Sequence, residues 1–428
     1  MMYLFCVRHF NDIDHITPVV WKMKQNNHPV AVYCLNPKYD IQRDYRLRFL
    51  EDQGVIVESI YNSFDQKVAL LHRTMRSLLM RFFARADRFD SDNHKKPSLR
   101  LRMGKLICNV MGFIFYRLAK ILFYNKKWAY HFIKQNRVQV LSFDHVIPNQ
   151  HVVAVLLKVA KKMSIPTLAL PHGVYLYTNE FTKATSSARQ KFYKFNRFDY
   201  VIVQNQLRKD VLARSGIARE KIRVLGSARF CREWIEQNNK ILPRMMASNG
   251  SGAGKLKVVF MPSKPRCRVD VERMHKTFNV LASLSEIEAV VKPHTRTGRE
   301  AWLFDNMPLR NVSRAHTPEL FEWADVVLII GSSVITEALM QNKPVLYLKY
   351  LHANTMLFEE CGACWTIHDE SELEQALRFL QQKESELPYS TENVNRFLLE
   401  VVYGGENTRD VLRDYVQFIV NCKVSQRC

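Results

Sequence analysis

The chain has 428 residues, 47% of them hydrophobic, which is enough for two or three domains that each bury a core. Its formal net charge of +22 points to an anionic partner: nucleic acid, a phosphorylated or acidic substrate, or an anionic membrane face. Nine cysteines, an odd number scattered from Cys6 to Cys428, exclude a disulfide scaffold and fit a reducing compartment.

The chain opens on "MMYLFCVRHFNDIDH", which reads as a first strand and lacks the charged-then-apolar layout of a signal peptide. Short, β-branched, nearly continuous apolar runs follow at "PVAVYCL" from Pro29, "VIVESI" from Val55, "VQVLSFD" from Val138, "PTLALP" from Pro166, "YVIVQ" from Tyr200 and "IRVLG" from Ile222. Runs of this kind suit strands covered on both faces, and helical patterns between them predict a parallel, doubly wound sheet. Residues 71–136 interrupt the alternation with 15 Lys and Arg against 3 Asp, a net +12 and more than half of the excess charge. Aromatic and aliphatic residues lie among these cations at helical spacing. The segment is therefore expected to be a basic amphipathic insertion that docks on an anionic membrane surface. The alternative is a helical pair packed on the domain with its charges solvated. Its most apolar run, "LICNVMGFIFYRLAKILFY", is broken by Arg117 and Lys120 before it reaches the roughly 20 residues needed to span a bilayer. Helix-turn-helix, RNP and zinc-finger patterns are absent, so nucleic acid is not the expected partner.

A Gly/Ser/Asn-rich stretch at 238–256 reads as a linker. The alternation then restarts at "KVVFMP", "EAVVKP", "DVVLIIG", "PVLYL" and "WTIHD", and ends in helical patterns. The expected organisation is a first α/β domain over 1–237, a second over 257–390, and helices over 391–428 that pack back on the first.

The strand ends carry the chemistry. "LIIGSSVITEALMQNKPVLYL" places Gly331-Ser332-Ser333 at a helix start. Its free N–H groups, hydroxyls and helix dipole favour a phosphate, with Glu337 one turn inside to accept from sugar hydroxyls. The alternative is that Ser332 or Ser333 merely caps the helix. "VVKPHTRTG" runs off a strand into Lys292, His294 and Arg296, a set suited to phosphate or carboxylate. "FMPSKPRCR" repeats the design with Ser263, Lys264 and Arg266, and "SRAHTPELFEWAD" adds His316, Thr317 and Pro318 before a helix. In the first half, "LSFDHVIPNQ" puts Asp144 and His145 on one strand tip, and "LALPHGVYLYTNE" puts His172 and Gly173 on the next. An Asp and a His there can serve as nucleophile or base and its partner. A glycine after His172 is expected to allow a sharp turn and a close approach to ligand. Arg229 follows the last strand, at the interdomain edge. Cys361-Gly-Ala-Cys364 has no second ligand pair nearby and reads as two ordinary thiols.

Taken in order, Pro-His-Gly, "DYVIVQNQLRKDVLARSGI", "KIRVLGSARF", Lys-Pro-His and "GSSVITEALMQNKPVLYL" resemble the GT-B glycosyltransferases of bacterial surface polysaccharides. The nearest likeness is to capsule and lipopolysaccharide Kdo transferases and to CDP-glycerol glycerophosphotransferases. UDP-GlcNAc 2-epimerase is a more distant match in fold, and its His-Glu-Ala-Gly type loop is lacking here. The resemblance covers about residues 138–369. It implies two Rossmann-like domains facing across a cleft, with a nucleotide-sugar, expected to be CMP-linked, on the second and the acceptor on the first. It places the donor phosphate near Ser332 and Ser333 with His294 close by, the reacting carbon near His172, and Asp144 as the cleft carboxylate. It further implies transfer, with neither metal nor cofactor, to a lipid-linked glycan by a cytoplasmic enzyme peripheral on the inner membrane.

Overall fold

The computed structural model describes residues 1–36, 39–63, 122–144, 151–178, 196–245, 254–263, 269–294, 307–382 and 386–422, with 77, 106, 107, 110, 111, 113, 114, 117 and 304. Among these, the first half forms strands β1 (Met2–Val7), β2 (Val30–Cys34), β3 (Ile56–Ser59), β4 (Val138–Asp144), β5 (Thr167–Leu170), β6 (Tyr200–Val203) and β7 (Ile222–Val224). Its helices are α1 (Phe10–Gln25), α2 (Tyr45–Asp52), α3 (Lys126–Gln135), α4 (His151–Lys162), α5 (Gln206–Arg214) and α6 (Arg232–Ile241). The second half forms strands β8 (Leu256–Met261), β9 (Ile287–Val291), β10 (Arg310–Asn311), β11 (Val326–Ile329), β12 (Val345–Leu348) and β13 (Trp365–Ile367). With them run α7 (Val271–Ser283), α8 (Thr317–Trp323), α9 (Val334–Met340), α10 (Leu357–Glu360) and α11 (Glu370–Gln381), and α12 (Thr391–Val401) and α13 (Val411–Asn421) close the chain.

The first sheet has the order β3-β2-β1-β4-β5-β6-β7 and the second β10-β9-β8-β11-β12-β13. Every pairing within them is parallel. Each sheet thus runs outward from its first strand and then reverses, at β1/β4 and at β8/β11. Such reversals open a crevice at the carboxyl ends of the strands, where doubly wound folds take ligands. All twelve apolar runs are strands. β10 has no apolar signature because both of its residues are exposed on the sheet edge.

The expected linker begins too early. Asn238 to Ile241 are the last turn of α6, which Trp234 locks against Trp21 and Phe49, while Tyr45 Oη donates to Asn238 Oδ1 at 3.0 Å. Of the insertion, α3 buries Trp128, Phe132 and Ile133 on the first domain, where Asn125 caps its start. Leu106, Ile107, Val110, Met111, Phe113 and Ile114 are helical and exposed. Much of 71–136 lies outside the described residues. Among the described residues no helix is long and apolar enough to cross a membrane.

The terminal helices join the halves. Phe397 of α12 meets Phe358 of α10 at a ring distance of 6.1 Å, and Phe418 of α13 meets Tyr200 of β6 at 5.2 Å. Ser227 N–H donates to Val402 O at 2.8 Å, and Tyr415 Oη donates to Gly226 O at 3.1 Å. Gly226 has φ +78° and a Cβ there would lie 2.3 Å from Val402 O, so only glycine permits this approach.

Candidate functional site

Two groups of side chains face each other between the sheets. The first sits on the β1/β4 reversal. Asp144 ends β4, Arg8 follows β1, Asp12 lies in the first turn of α1, and His172 lies two residues past β5. Asp12 Oδ2 accepts the backbone N–H of Arg8 at 2.8 Å and of His9 at 3.2 Å, which satisfies two orphan donors at the helix start. Its Oδ1 lies 2.7 Å from His172 Nδ1, and Asp144 Oδ1 lies 2.9 Å from the same nitrogen. The Arg8 guanidinium pairs directly with Asp144 Oδ2 and lies 3.6 Å from Asp12 Oδ2.

Arg8, Asp12 and Asp144 are buried, whereas the His172 side chain keeps 21% of its surface exposed, so the imidazole is the one member of the group open to the cleft. Nδ1 thus lies between one oxygen of each carboxylate. Burial works against ionisation of Asp12, but His172 and Arg8 outweigh it and hold the carboxyl below its ordinary range. Asp12, Asp144 and His172 bring one ligand atom each within 4.8 Å of one another and are the described residues that could hold a metal. Arg8 lies against both carboxylates and offsets one of their two charges, which weakens their attraction for a divalent ion.

The loop that presents His172 is clamped by the end of β6. Gln204 Nε2 donates to Gly173 O at 3.0 Å and Asn205 Nδ2 donates to Tyr175 O at 3.1 Å, while Asn205 Oδ1 caps α5 through Arg208 N–H at 2.8 Å. These buried amides do what was expected of Gly173. That glycine is not in the left-handed region, and a Cβ there would meet nothing within 4 Å.

The second group sits on the β8/β11 reversal. Ser263 Oγ donates to Ile330 O and ties the two strand ends together. Gly331 has φ +48°, and the His352 ring packs beneath it, 3.0 Å from where a Cβ would be. The helix α9 that follows has only seven residues, and Ser332 Oγ accepts Val334 N–H at 3.4 Å, so Ser332 caps the turn. Lys292, expected to meet the ligand, lines the cavity described below and is also held by the backbone. Its Nζ donates to Ala315 O at 2.5 Å and Ser313 O at 3.4 Å, pinning the loop before α8, and burial lowers its pKa to about 8. His294 is half-buried just after β9. His145, Lys264, Arg266 and Arg296 lie outside the described residues.

A cavity of about 240 Å³ is lined by Phe10, Asp14, Tyr45 and Arg229 from the first half and by Lys292, His316, Thr317 and Glu337 from the second. Arg229, expected at the interdomain edge as an acceptor-side cleft residue, lines this cavity. Its guanidinium is 3.1 Å from Asp14 Oδ2 and reaches across to within 3.9 Å of Glu337 Oε2. Burial raises the pKa of Glu337, and Arg229 offsets only part of this. Behind them Arg46 pairs with Asp14 and with Asp44 Oδ2 at 2.6 Å, its guanidinium over the Phe10 ring at 4.0 Å. Tyr45 meets His316 edge-on at 5.2 Å, and burial keeps that imidazole below its ordinary pKa. Sequence reading missed Arg8, Asp12, Asp14 and Arg46. The signal for the first three was present: "RHFNDID" follows β1 as the other charged loops follow their strands.

No family model and no curated protein matches the sequence. The fold is similar to UDP-GlcNAc 2-epimerase from Methanocaldococcus jannaschii in complex with UDP-GlcNAc and UDP, with TM-score 0.54, 14% identity, and 99% of this chain and 100% of that one covered. The enzyme of the same name from Neisseria meningitidis bound to UDP-GlcNAc gives TM-score 0.56, 12% identity and coverage of 99% and 100%. The wall teichoic acid polymerase TagF gives 0.52, 12%, and 98% and 88%. The chain has the two-domain GT-B fold.

Proposed function

We propose that the chain is a GT-B glycosyltransferase that moves a sugar from a nucleotide donor to a lipid-linked surface-glycan acceptor. The observation that carries this reading is the cleft itself. One cavity is lined by Asp14, Tyr45 and Arg229 of the first half and by His316, Thr317 and a buried Glu337 of the second, and on the first sheet's reversal stands a partly exposed His172 backed by two buried carboxylates. Glu337 would accept from ribose hydroxyls, His316 and Thr317 would line the nucleoside, and Ser263, His294, Ser332 and Ser333 would lie nearest the phosphates. Lys264, Arg266 and Arg296 are assigned to the leaving phosphate charge. His172 Nε2 takes the acceptor hydroxyl proton as that oxygen bonds the anomeric carbon. The carbon–phosphate oxygen bond breaks, and its electron pair leaves with the nucleotide. The two epimerases of similar fold bound to UDP-GlcNAc support a nucleotide-sugar ligand here. An acidic donor such as CMP-Kdo suits the basic loops.

The exposed Leu106, Phe113 and Ile114 within a segment of net charge +12 support docking on an anionic bilayer at the cytoplasmic face of the inner membrane. The test of the donor reading is a thermal-shift screen with CMP, CDP, UMP, UDP and GDP on wild type and on Glu337→Gln. Stabilisation by one nucleotide, lost in the variant, is expected. CMP alone fits a CMP-sugar, and transfer assays with CMP-Kdo against CDP-glycerol then separate sugar from glycerol-phosphate transfer. UDP or GDP alone excludes both donors. No shift with any nucleotide turns the assignment to a non-catalytic glycan- or membrane-binding protein.

A further inference from the structure

A short strap ties the His172 loop to the second half. Leu357 N–H donates to Leu176 O at 2.8 Å and Thr178 N–H donates to Thr355 O at 3.1 Å, while the two threonine hydroxyls meet at 3.0 Å. Tyr177 and Met356 form an isolated antiparallel bridge. On one side the strap continues through Tyr175 and Gly173, each held by its carbonyl, to His172 four residues upstream of Leu176. On the other it continues through Asn354 to His352. Asn354 N–H donates to His352 Nδ1 at 3.2 Å, His352 Nε2 lies 2.8 Å from Tyr347 Oη, and Lys349 Nζ donates to Asn354 O at 2.9 Å. His352 in turn is wedged against Gly331. A line of hydrogen bonds and one steric contact therefore runs from the turn at 331–333 to His172 without leaving ordered backbone.

We propose that this strap, residues 176–178 on residues 355–357, transmits occupancy of the turn at 331–333 to His172, so that a bound donor sets the opposite domain's base. The proposal rests on the donor reading above. The strap has the strength such a relay requires. A two-residue bridge is marginal by itself, so it opens and closes, and a ligand that braces one end shifts that equilibrium. A turn in which His352 sits at contact distance beneath Gly331 cannot move toward the sheet without displacing residues 352–354.

Hydrogen–deuterium exchange tests it, with each of CMP, CDP, UMP, UDP and GDP as probe at millimolar concentration. In the wild-type chain the effective nucleotide is expected to slow exchange across 326–340 and also at the Thr178 and Leu357 amides, by about tenfold, as for a local opening held shut. Leu357→Pro removes one strap donor at the first position of α10, where proline is tolerated, and Met356 before it is already extended at φ −126° and ψ 143°. Thr178→Val removes the hydroxyl contact with its shape kept. Both variants are expected to keep protection over 326–340 and to lose it at 172–178. Protection over 326–340 without any at 172–178 in wild type overturns the relay and leaves the donor site standing. Undiminished protection at 172–178 in Thr178→Val and Leu357→Pro overturns it as well. No protection anywhere overturns the donor reading, and the relay with it.

Discussion

The carboxyl ends of the two sheets share a topology and differ in material. At β1/β4 the crevice is filled by charge: Arg8, Asp12 and Asp144 are buried and paired, and they present one imidazole. At β8/β11 it is built from backbone and hydroxyls: a left-handed glycine, a capping serine and a serine bonded to a carbonyl. The first arrangement shifts protonation states and suits proton transfer. The second offers neutral donors and shape, and suits holding a ligand. On the proposed function, the two halves of this GT-B chain divide chemistry from binding.

The strongest way to break this comparison is at the imidazole. His172→Ala is expected to lower the transfer rate by about 10²–10⁴-fold, the range of a lost general base, while nucleotide binding is retained. Equal losses of rate and nucleotide affinity in steady-state and binding assays would contradict the division. Stability is expected to follow the same divide. Asp144→Asn removes the direct partner of a buried Arg8, leaves it only Asp12, and is expected to cost about 3 kcal/mol, whereas Ser263→Ala forfeits one neutral hydrogen bond worth about 1 kcal/mol. Urea midpoints read both. Similar costs would mean that the two ends are stabilised alike.

The next effect is a pH dependence on the binding side. Burial lowers the folded-state pKa of His352 from 6.5 to about 4, so the folded form disfavours the imidazolium. The unfolded chain therefore takes up the proton first as pH falls. Stability is complete above pH 6.5 and is lost between 6.5 and about 4, by about 3 kcal/mol in all. His352→Phe is expected to flatten this slope in denaturation series, and an unchanged slope would assign it to other groups. The smallest effect is Gly331→Ala. Its φ of +48° and the ring beneath it predict a loss of about 1–2 kcal/mol, together with a weaker nucleotide-induced thermal shift.

Much of the fold was legible because parallel strands buried on both faces advertise themselves as apolar runs. β10 was not, since two exposed edge residues carry no pattern. For the site, His172 and Asp144 were legible as polar residues directly after apolar runs. Lys292 met the same criterion and yet serves to pin a loop, because at a strand end the direction of a long side chain is set by its neighbours. Asp12, in the first turn of α1, was missed. Its second oxygen meets His172 only because β1, β4 and β5 are adjacent in the sheet.

The sequence by itself therefore determined the alternation of elements, the two halves, the concentration of charge in 71–136 and the class of residue at each strand tip. Hydrophobic period and turn chemistry are local properties, and local properties are written in order along the chain. Only the tertiary structure decided which tips meet: that Asp12 and Asp144 share one nitrogen of His172, that Arg229 spans from Asp14 toward Glu337, and that residues 176–178 lean on residues 355–357. Except for Asp144 with His172, those meetings join residues more than 100 positions apart. They follow from strand order and domain packing, which no local pattern encodes.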